Sequence, residues 1–233
     1  MKKVKPETKK TDKRLAQISK AIYSKKDEFT KTVEDYGYSV VSYIEQSYSV
    51  GSILETDNHA VVVCKGSEFS KSKEEFCIDI KTNINCMPRI WAGRNGCVHS
   101  GYTSSINRMR YSLREALKTI LSEKKVYLVG HSLGAISSLL LITWILNNPN
   151  EQENSRFYEI VMFGSPRCAT QKTFDVLHNN NNVEIRRYVM NFDFANLYGF
   201  PFYSHPCSKI LLHSPFNFIN KHSIDTYIYA LDN

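Results

Sequence analysis

A serine between two glycines is the strongest sign of chemistry in the sequence. The segment Gly130-His131-Ser132-Leu133-Gly134 has the pattern G-x-S-x-G. It follows the apolar run 126–129, expected to be a buried strand, and precedes the apolar run 133–146, expected to be a helix. A serine on such a sharp turn is held by strained backbone and faces the free N–H groups of the helix. The pattern therefore predicts Ser132 as a nucleophile.

The neighbours of Ser132 have separate expected roles. Gly130 and Gly134 are expected to let the strand and the helix approach closely, because neither carries a Cβ atom. The backbone N–H of Leu133 is expected to stabilise a developing oxyanion. His131 is interpreted as a supporting residue and not as the base, because adjacent side chains diverge on such a turn. The alternative interpretation of the motif is a tight turn whose serine only caps the helix.

Alternating strands and helices are predicted around this turn. Apolar runs predict strands at 60–64, 126–129, 158–163 and 184–190, and helical spacing predicts helices at 108–121, 133–146, 174–179 and 223–231. Helix-type spacing also extends over residues 13–49. Buried strands that alternate with helices indicate an α/β fold with a mostly parallel central sheet covered by helices on both faces.

Length and composition exclude several classes of protein. The chain has 233 residues, of which 42% are hydrophobic, so it can bury a substantial core, and we expect a single domain over 13–233. No apolar run approaches the roughly 18–20 residues of a membrane span. No apolar stretch follows the basic N-terminal residues, so we predict no signal peptide and a cytoplasmic or peripherally membrane-associated protein.

The positive charge is concentrated near the N-terminus. Residues 1–31 hold 11 Lys or Arg and 4 Asp or Glu, whereas residues 32–233 hold 19 of each kind. We interpret residues 1–12 as a basic, disordered, solvated tail, with attraction to an anionic membrane surface as the alternative. A nucleic-acid partner is not expected, because the aromatic residues do not interleave with basic clusters.

The six cysteines do not indicate a metal site. They are Cys64, Cys77, Cys86, Cys97, Cys168 and Cys207, and none forms a C-x-x-C pair. No metal and no other cofactor is predicted. We interpret the cysteines as reduced thiols, with a bond between Cys86 and Cys97 as the alternative in an oxidising compartment.

Five segments in fixed order resemble the class 3 (fungal-type) lipases of the α/β-hydrolase fold. Besides the serine motif they are Val62-Val63-Cys64-Lys65-Gly66-Ser67, Val98-His99-Ser100-Gly101-Tyr102, Met162-Phe163-Gly164-Ser165-Pro166-Arg167 and Asn191-Phe192-Asp193. The resemblance spans roughly residues 55–230. The sequence departs from the family pattern at Lys65, where the family usually has Arg, and at Phe194-Ala195, where it often has Val-Pro.

The resemblance implies a serine hydrolase that cleaves carboxylic esters of lipids, either acylglycerols or phospholipids, through an acyl-enzyme. It also implies that the backbone N–H of Ser67 is a second oxyanion donor and that residues 68–77 occupy the position of a lid. The alternative is a catalytically silent lipase-like protein used for binding or signalling. That alternative would require a defective triad or oxyanion loop, and each position here carries a suitable residue.

The acid of the triad is expected at Asp193. In this fold the chain order is serine, acid, histidine. Asp193 lies just beyond the predicted strand 184–190, at the sheet edge that carries Ser132. Asp175 and Asp225 are the other aspartates considered. An Asp193 that only supports a loop turn is the alternative role.

The base is expected at His222. It directly precedes the predicted terminal helix, and the segment His222-Ser223-Ile224-Asp225-Thr226-Tyr227 resembles the family's catalytic histidine segment. His205 is the second candidate. His213 lies in an apolar stretch and is interpreted as structural.

Overall fold

A seven-stranded sheet forms the centre of the molecule. The computed structural model describes residues 4–67, 87–92, 96–199, 201–215 and 221–232. The strands are β1 (Ser39–Gln46), β2 (Ser49–Glu55), β3 (His59–Cys64), β4 (Pro88–Ile90), β5 (Cys97–His99), β6 (Lys125–His131), β7 (Tyr158–Phe163), β8 (Val183–Met190) and β9 (Lys209–Leu212). The order in the sheet is β1-β2-β3-β6-β7-β8-β9, and β4 and β5 form a separate pair.

Helices lie on both faces of this sheet. They are α1 (Pro6–Ala21), α2 (Lys26–Asp35), α3 (Ser100–Lys118), α4 (Leu133–Asn147), α5 (Glu151–Ser155), α6 (Asp175–His178) and α7 (Ile224–Asp232). Strands β3, β6, β7, β8 and β9 pair in parallel, whereas β1 and β2 add to the sheet as antiparallel strands. The predicted α/β fold with a mostly parallel sheet is confirmed.

Two apolar cores sandwich the sheet. One contains the inner residues of α3 and α4, and the other those of α1, α2 and α7. Every residue of α4 is buried, which explains why its sequence is apolar on all sides. Strand β7 is also buried over its full length, as expected for a central parallel strand. These two elements place the serine turn on rigid, buried supports.

The structure corrects the prediction of a disordered tail over residues 1–12. Helix α1 begins at Pro6, and Asp12 is 0% exposed. Its carboxylate accepts hydrogen bonds from Arg186 at 2.7 Å and from Tyr188 Oη at 2.6 Å. This buried charge pair attaches the start of the chain to β8. Residues 1–3 lie outside the described residues.

The helix-type spacing over residues 13–49 covers helices and a strand. It includes α1 and α2, but Val40 and Ile44 belong to β1. A separation of four residues fits one face of a helix and also one face of a strand, so spacing alone did not distinguish them. Strand β1 forms because β2 pairs with it as a hairpin.

Several further expectations are settled only for described residues. Cys64, Cys97 and Cys168 are free thiols, while Cys77 and Cys86 lie outside the described residues, as do residues 68–77. Within the described ranges, no helix combines the length and the apolar character needed to cross a bilayer.

Candidate active site

Ser132 occupies a strained turn between β6 and α4. Its backbone has φ 55° and ψ −124°, a conformation that non-glycine residues seldom adopt. The turn is held on both sides: Ser132 N–H donates to the carbonyl of Phe163 at 2.9 Å, and the Ser132 carbonyl accepts from Ala135 N–H at 3.1 Å. The strain persists because buried neighbours fix this conformation, which turns the hydroxyl away from the direction of β6.

Two glycines allow this turn to form against β3. A Cβ atom on Gly130 would lie 2.3 Å from the carbonyl carbon of Gly134. A Cβ atom on Gly134 would lie 2.2 Å from the carbonyl oxygen of Cys64. Any larger residue at either position would push α4 away from the sheet.

The structure brings Ser132, His222 and Asp193 into one hydrogen-bonded chain. His222 Nε2 lies 2.9 Å from Ser132 Oγ, and His222 Nδ1 lies 3.0 Å from both carboxylate oxygens of Asp193. An ionised carboxylate only accepts hydrogen bonds, so His222 Nδ1 carries the proton. His222 Nε2 is then free to accept the hydrogen of Ser132 Oγ. The arrangement is therefore able to withdraw a proton from the serine hydroxyl.

Asp193 is fixed by two further donors. It is 4% exposed and lies three residues beyond the end of β8. Ala195 N–H donates to Asp193 Oδ1 at 2.9 Å, and Tyr227 Oη donates to Asp193 Oδ2 at 2.5 Å. Burial, followed by the nearby carboxylate, raises the pKa of Tyr227 well above its usual value. No sequence pattern indicated a role for Tyr227, although it lies five residues after His222.

His131 hydrogen-bonds to the backbone of His222 and remains neutral. Its Nε2 lies 2.7 Å from the carbonyl oxygen of His222, which only accepts, so Nε2 carries the hydrogen. Its Nδ1 then accepts from Tyr23 Oη at 3.3 Å. Burial, followed by the positive potential of His222, lowers the pKa of His131 to about 3. The contact with Tyr23 was not predicted, because the two residues are 108 positions apart.

The other candidate residues have different surroundings. Asp225 pairs with Lys20 at 2.7 Å on the surface, and Asp175 is the first residue of α6. Burial and the charges of Arg187 and Arg167 lower the pKa of His205 to about 3. His213 is exposed directly after β9. No hydrogen bond within the described residues joins any of these four side chains to Ser132 or His222.

A small cavity opens beside the serine. Ser67 and Leu133 line it together with Ser132 and His222, and its remaining lining residues are Tyr102, Pro166, Phe194, Ala195 and Tyr198. Leu133 is the first residue of α4, and the first N–H groups of a helix have no acceptor within it. The cavity therefore combines backbone donors at one end with aromatic and aliphatic walls. Among the described residues, no group of three His, Cys, Asp or Glu side chains is placed to hold a metal ion.

Comparison with known proteins identifies the family and the fold of the chain. Residues 61–200 match the family described as lipase (class 3), whereas curated protein sequences provide no match. Lipase II from Rhizopus niveus superimposes with a TM-score of 0.65 at 17% identity, over 82% of this chain and 75% of that one. Nonglycosylated LIP2 lipase from Yarrowia lipolytica superimposes with a TM-score of 0.72 at 14% identity, over 91% and 82% of the two chains. These structures share the fold.

Proposed function

The chain belongs to the class 3 lipase family, and on that premise we propose that it hydrolyses carboxylic esters of lipids through an acyl-enzyme formed on Ser132. The family supports ester hydrolysis in general. The serine mechanism and the substrate class are the proposal. The observation that supports the proposal is the contact of 2.9 Å between His222 Nε2 and Ser132 Oγ, with Asp193 behind the imidazole.

The proposed reaction uses these residues in two half-reactions. His222 Nε2 takes the Ser132 proton while Oγ attacks the ester carbonyl carbon, and Asp193 stabilises the resulting imidazolium. The C–O bond of the tetrahedral intermediate then breaks, and His222 returns the proton to the leaving alkoxide. Water, deprotonated by His222, attacks the acyl-enzyme. The acyl–Oγ bond then breaks while His222 returns the proton to Oγ, which releases the carboxylic acid and restores Ser132.

Two backbone donors are proposed to bind the oxyanion. The N–H of Leu133 lies at the start of α4, where the helix dipole favours negative charge. Ser67 lines the same cavity and is proposed to supply the second N–H. Such donors act mainly on the charge that develops in the transition state, so they accelerate the reaction more than they strengthen binding.

The cavity walls favour an acyl chain over a polar substrate. Tyr102, Leu133, Pro166, Phe194 and Tyr198 present mainly carbon atoms next to Ser132. Pockets of this composition bind apolar groups. We propose acylglycerols or phospholipids as the substrate class.

A labelling experiment tests the proposal against a silent lipase-like protein. A fluorophosphonate reacts only with an activated serine, so wild type should be labelled and Ser132→Ala should not. Hydrolysis of a total lipid extract, read by mass spectrometry, should release fatty acids and identify the head group. A wild type that is folded but neither labelled nor hydrolytic would show the silent alternative to be correct.

A further inference from the structure

An uncharged segment with exposed apolar side chains follows Asp193. Residues 194–208 contain no Asp, Glu, Lys or Arg, although 23% of the chain is charged. We define the described residues 192–199 and 201–202 as the aromatic loop. Phe192, Leu197 and Phe202 are 72%, 69% and 71% exposed. Single exposed apolar residues are common, but three within eleven positions of one loop are a patch.

The framework of the aromatic loop is fixed to the protein. Ala195 and Tyr203 are buried, and they anchor the two ends of the exposed stretch. The carbonyl of Tyr198 accepts from Arg167 N–H at 3.1 Å, and Ser204 N–H donates to the carbonyl of Ala169 at 2.7 Å. These anchors hold the exposed side chains outward from an ordered backbone.

Phe192 has a strained backbone at an exposed position. Its φ is 63°, which is an outlier for a bulky side chain. Strain of this kind persists where the surrounding structure imposes it, and it often occurs at functional positions. Here it leaves a phenyl ring in solvent next to the proposed acid, Asp193.

The aromatic loop also forms one wall of the candidate active site. The rings of Phe194 and Tyr198 lie 5.9 Å apart, and both line the cavity beside Ser132. The ring of Phe194 lies 5.8 Å from that of His222. A surface resting on the exposed side chains would therefore meet the opening of the cavity.

The basic residues at the start of α1, Lys9 and Lys10, lie away from this opening. Asp12 contacts Arg186 in the first half of β8, whereas Tyr23, beyond the other end of α1, contacts His131 at the end of β6. The helix therefore runs from the far edge of the sheet towards the active edge. At 1.5 Å per residue, Lys10 lies roughly 20 Å from that edge. Screening at physiological salt acts over about 8 Å.

We propose that a lipid surface docks on the aromatic loop, with Phe192, Leu197 and Phe202 inserted among the lipids. The inference rests on the proposed function, because it places the lipid substrate at the cavity opening. Phenylalanine and leucine on the apolar side of a surface element favour insertion at the membrane interface. Because the exposed side chains of the loop carry no formal charge, binding should require neither anionic lipid nor low salt.

Sedimentation with phosphatidylcholine vesicles tests the docking surface. All proteins carry Ser132→Ala, so the vesicles stay intact. The triple variant Phe192→Ser/Leu197→Ser/Phe202→Ser should bind the vesicles at least roughly tenfold more weakly than the parent. Tyr48→Ser/Leu121→Ser removes two apolar side chains of similar exposure elsewhere, and Lys9→Gln/Lys10→Gln removes charge from α1. Both controls should partition like the parent, at 0.1 M and at 0.5 M salt.

The outcomes are distinguishable from failure of the proposed function. A melting temperature of the triple variant within a few degrees of the parent shows that the variant is folded. If the Ser variant does not fold, a variant with Gln at the same three positions takes its place in the vesicle measurement. Each of three results would overturn the docking surface. The parent and the triple variant could partition equally, the Lys9→Gln/Lys10→Gln variant could lose binding, or the parent could fail to bind neutral vesicles. Hydrolysis of a soluble short-chain ester by the Ser132 enzyme tests the function separately.

Discussion

Tyr227 Oη donates to Asp193 Oδ2 at 2.5 Å and accepts from Met190 N–H at 3.2 Å. One hydroxyl therefore joins α7, the last residue of β8 and the carboxylate next to His222. The side chain of Tyr227 is fully buried, so water does not replace it. Helix α7 also begins two residues after His222, so this helix positions both the imidazole and the carboxylate behind it.

Tyr227→Phe should lower kcat roughly tenfold with little change in KM, because Asp193 loses a donor that fixes its orientation while the cavity walls are untouched. The measurement is steady-state hydrolysis of a short-chain ester. Tyr229→Phe is the matched control on the same helix and should retain wild-type kcat. Equal rates for both variants would show that Ala195 N–H and His222 orient Asp193 without Tyr227.

Ser132→Ala and His222→Ala should each lower kcat by about 10⁵ to 10⁶, and the double variant should lose little more. Nucleophile and base act as one unit, so removal of either one abolishes the same step. The measurement is the same ester assay with circular dichroism as a folding check. More than a tenth of wild-type activity in Ser132→Ala would contradict the proposed nucleophile.

Asp193→Asn should lower kcat by roughly 10⁴, because the imidazole loses the acceptor that sets its tautomer. Asp175→Asn and Asp225→Asn are the controls, and both should remain within a few-fold of wild type. Asp225 makes a surface ion pair, and exposed pairs of this kind contribute little to stability. A severe loss in Asp225→Asn with a mild one in Asp193→Asn would transfer the role of the acid to α7.

Stability should fall as the pH is lowered below about 6.5. Both His131 and His205 have a pKa lowered to about 3 in the folded chain. In the window between these values the unfolded chain binds more protons, so acid favours unfolding. Each histidine should remove about 1–2 kcal/mol between pH 7 and pH 5.

Urea unfolding of His205→Gln at pH 7 and pH 5 measures the contribution of one of these histidines. The variant should lose less stability than wild type over this interval, and His213→Gln, at an exposed position, should lose as much as wild type. An unchanged pH dependence in His205→Gln would show that His205 does not retain its low pKa.

Deletion of residues 2–12 should destabilise the fold by about 3 kcal/mol or more, because Arg186 would lose a buried carboxylate. Asp12 is also bonded to Tyr188, so buried Tyr188 loses an acceptor and Arg186 keeps its pairs with Glu159 and Glu184. Deletion of residues 2–5, which ends before α1, is the control and should have little effect. Urea unfolding at pH 7 distinguishes the two deletions. Equal unfolding midpoints would mean that the pair of Asp12 and Arg186 contributes no net stability.

Local sequence patterns were sufficient to predict the strands and the helix at the centre of the molecule. The six residues of β7 are all buried, so the apolar run 158–163 predicted its bounds correctly. Helix α4 and the turn at Ser132 were also readable, because strand, turn and helix are adjacent in the chain. Prediction of Asp193 and His222 needed the chain order of the fold and the family resemblance as well.

Long-range partners account for what was missed. Asp12 looked like one acid in a lysine-rich segment, since its partners Arg186 and Tyr188 are far along the chain. Tyr23 gave no local sign of its contact with His131. Strand β9 is short and lies at the sheet edge, so Ile210 and Leu212 appeared only as an apolar stretch. Such features depend on tertiary pairing, which periodicity does not report.

The pair of Asp12 and Arg186 also sets an order of assembly during synthesis. The two residues are 174 positions apart. At about 5–20 residues per second, a ribosome would take roughly 10–35 seconds to reach the second after the first. Throughout that interval α1 lacks the strand that receives its carboxylate, and short isolated helices are marginal in water. Helix α1 therefore acquires the partners of its buried carboxylate only after the strand and helix on either side of Ser132 have been synthesised.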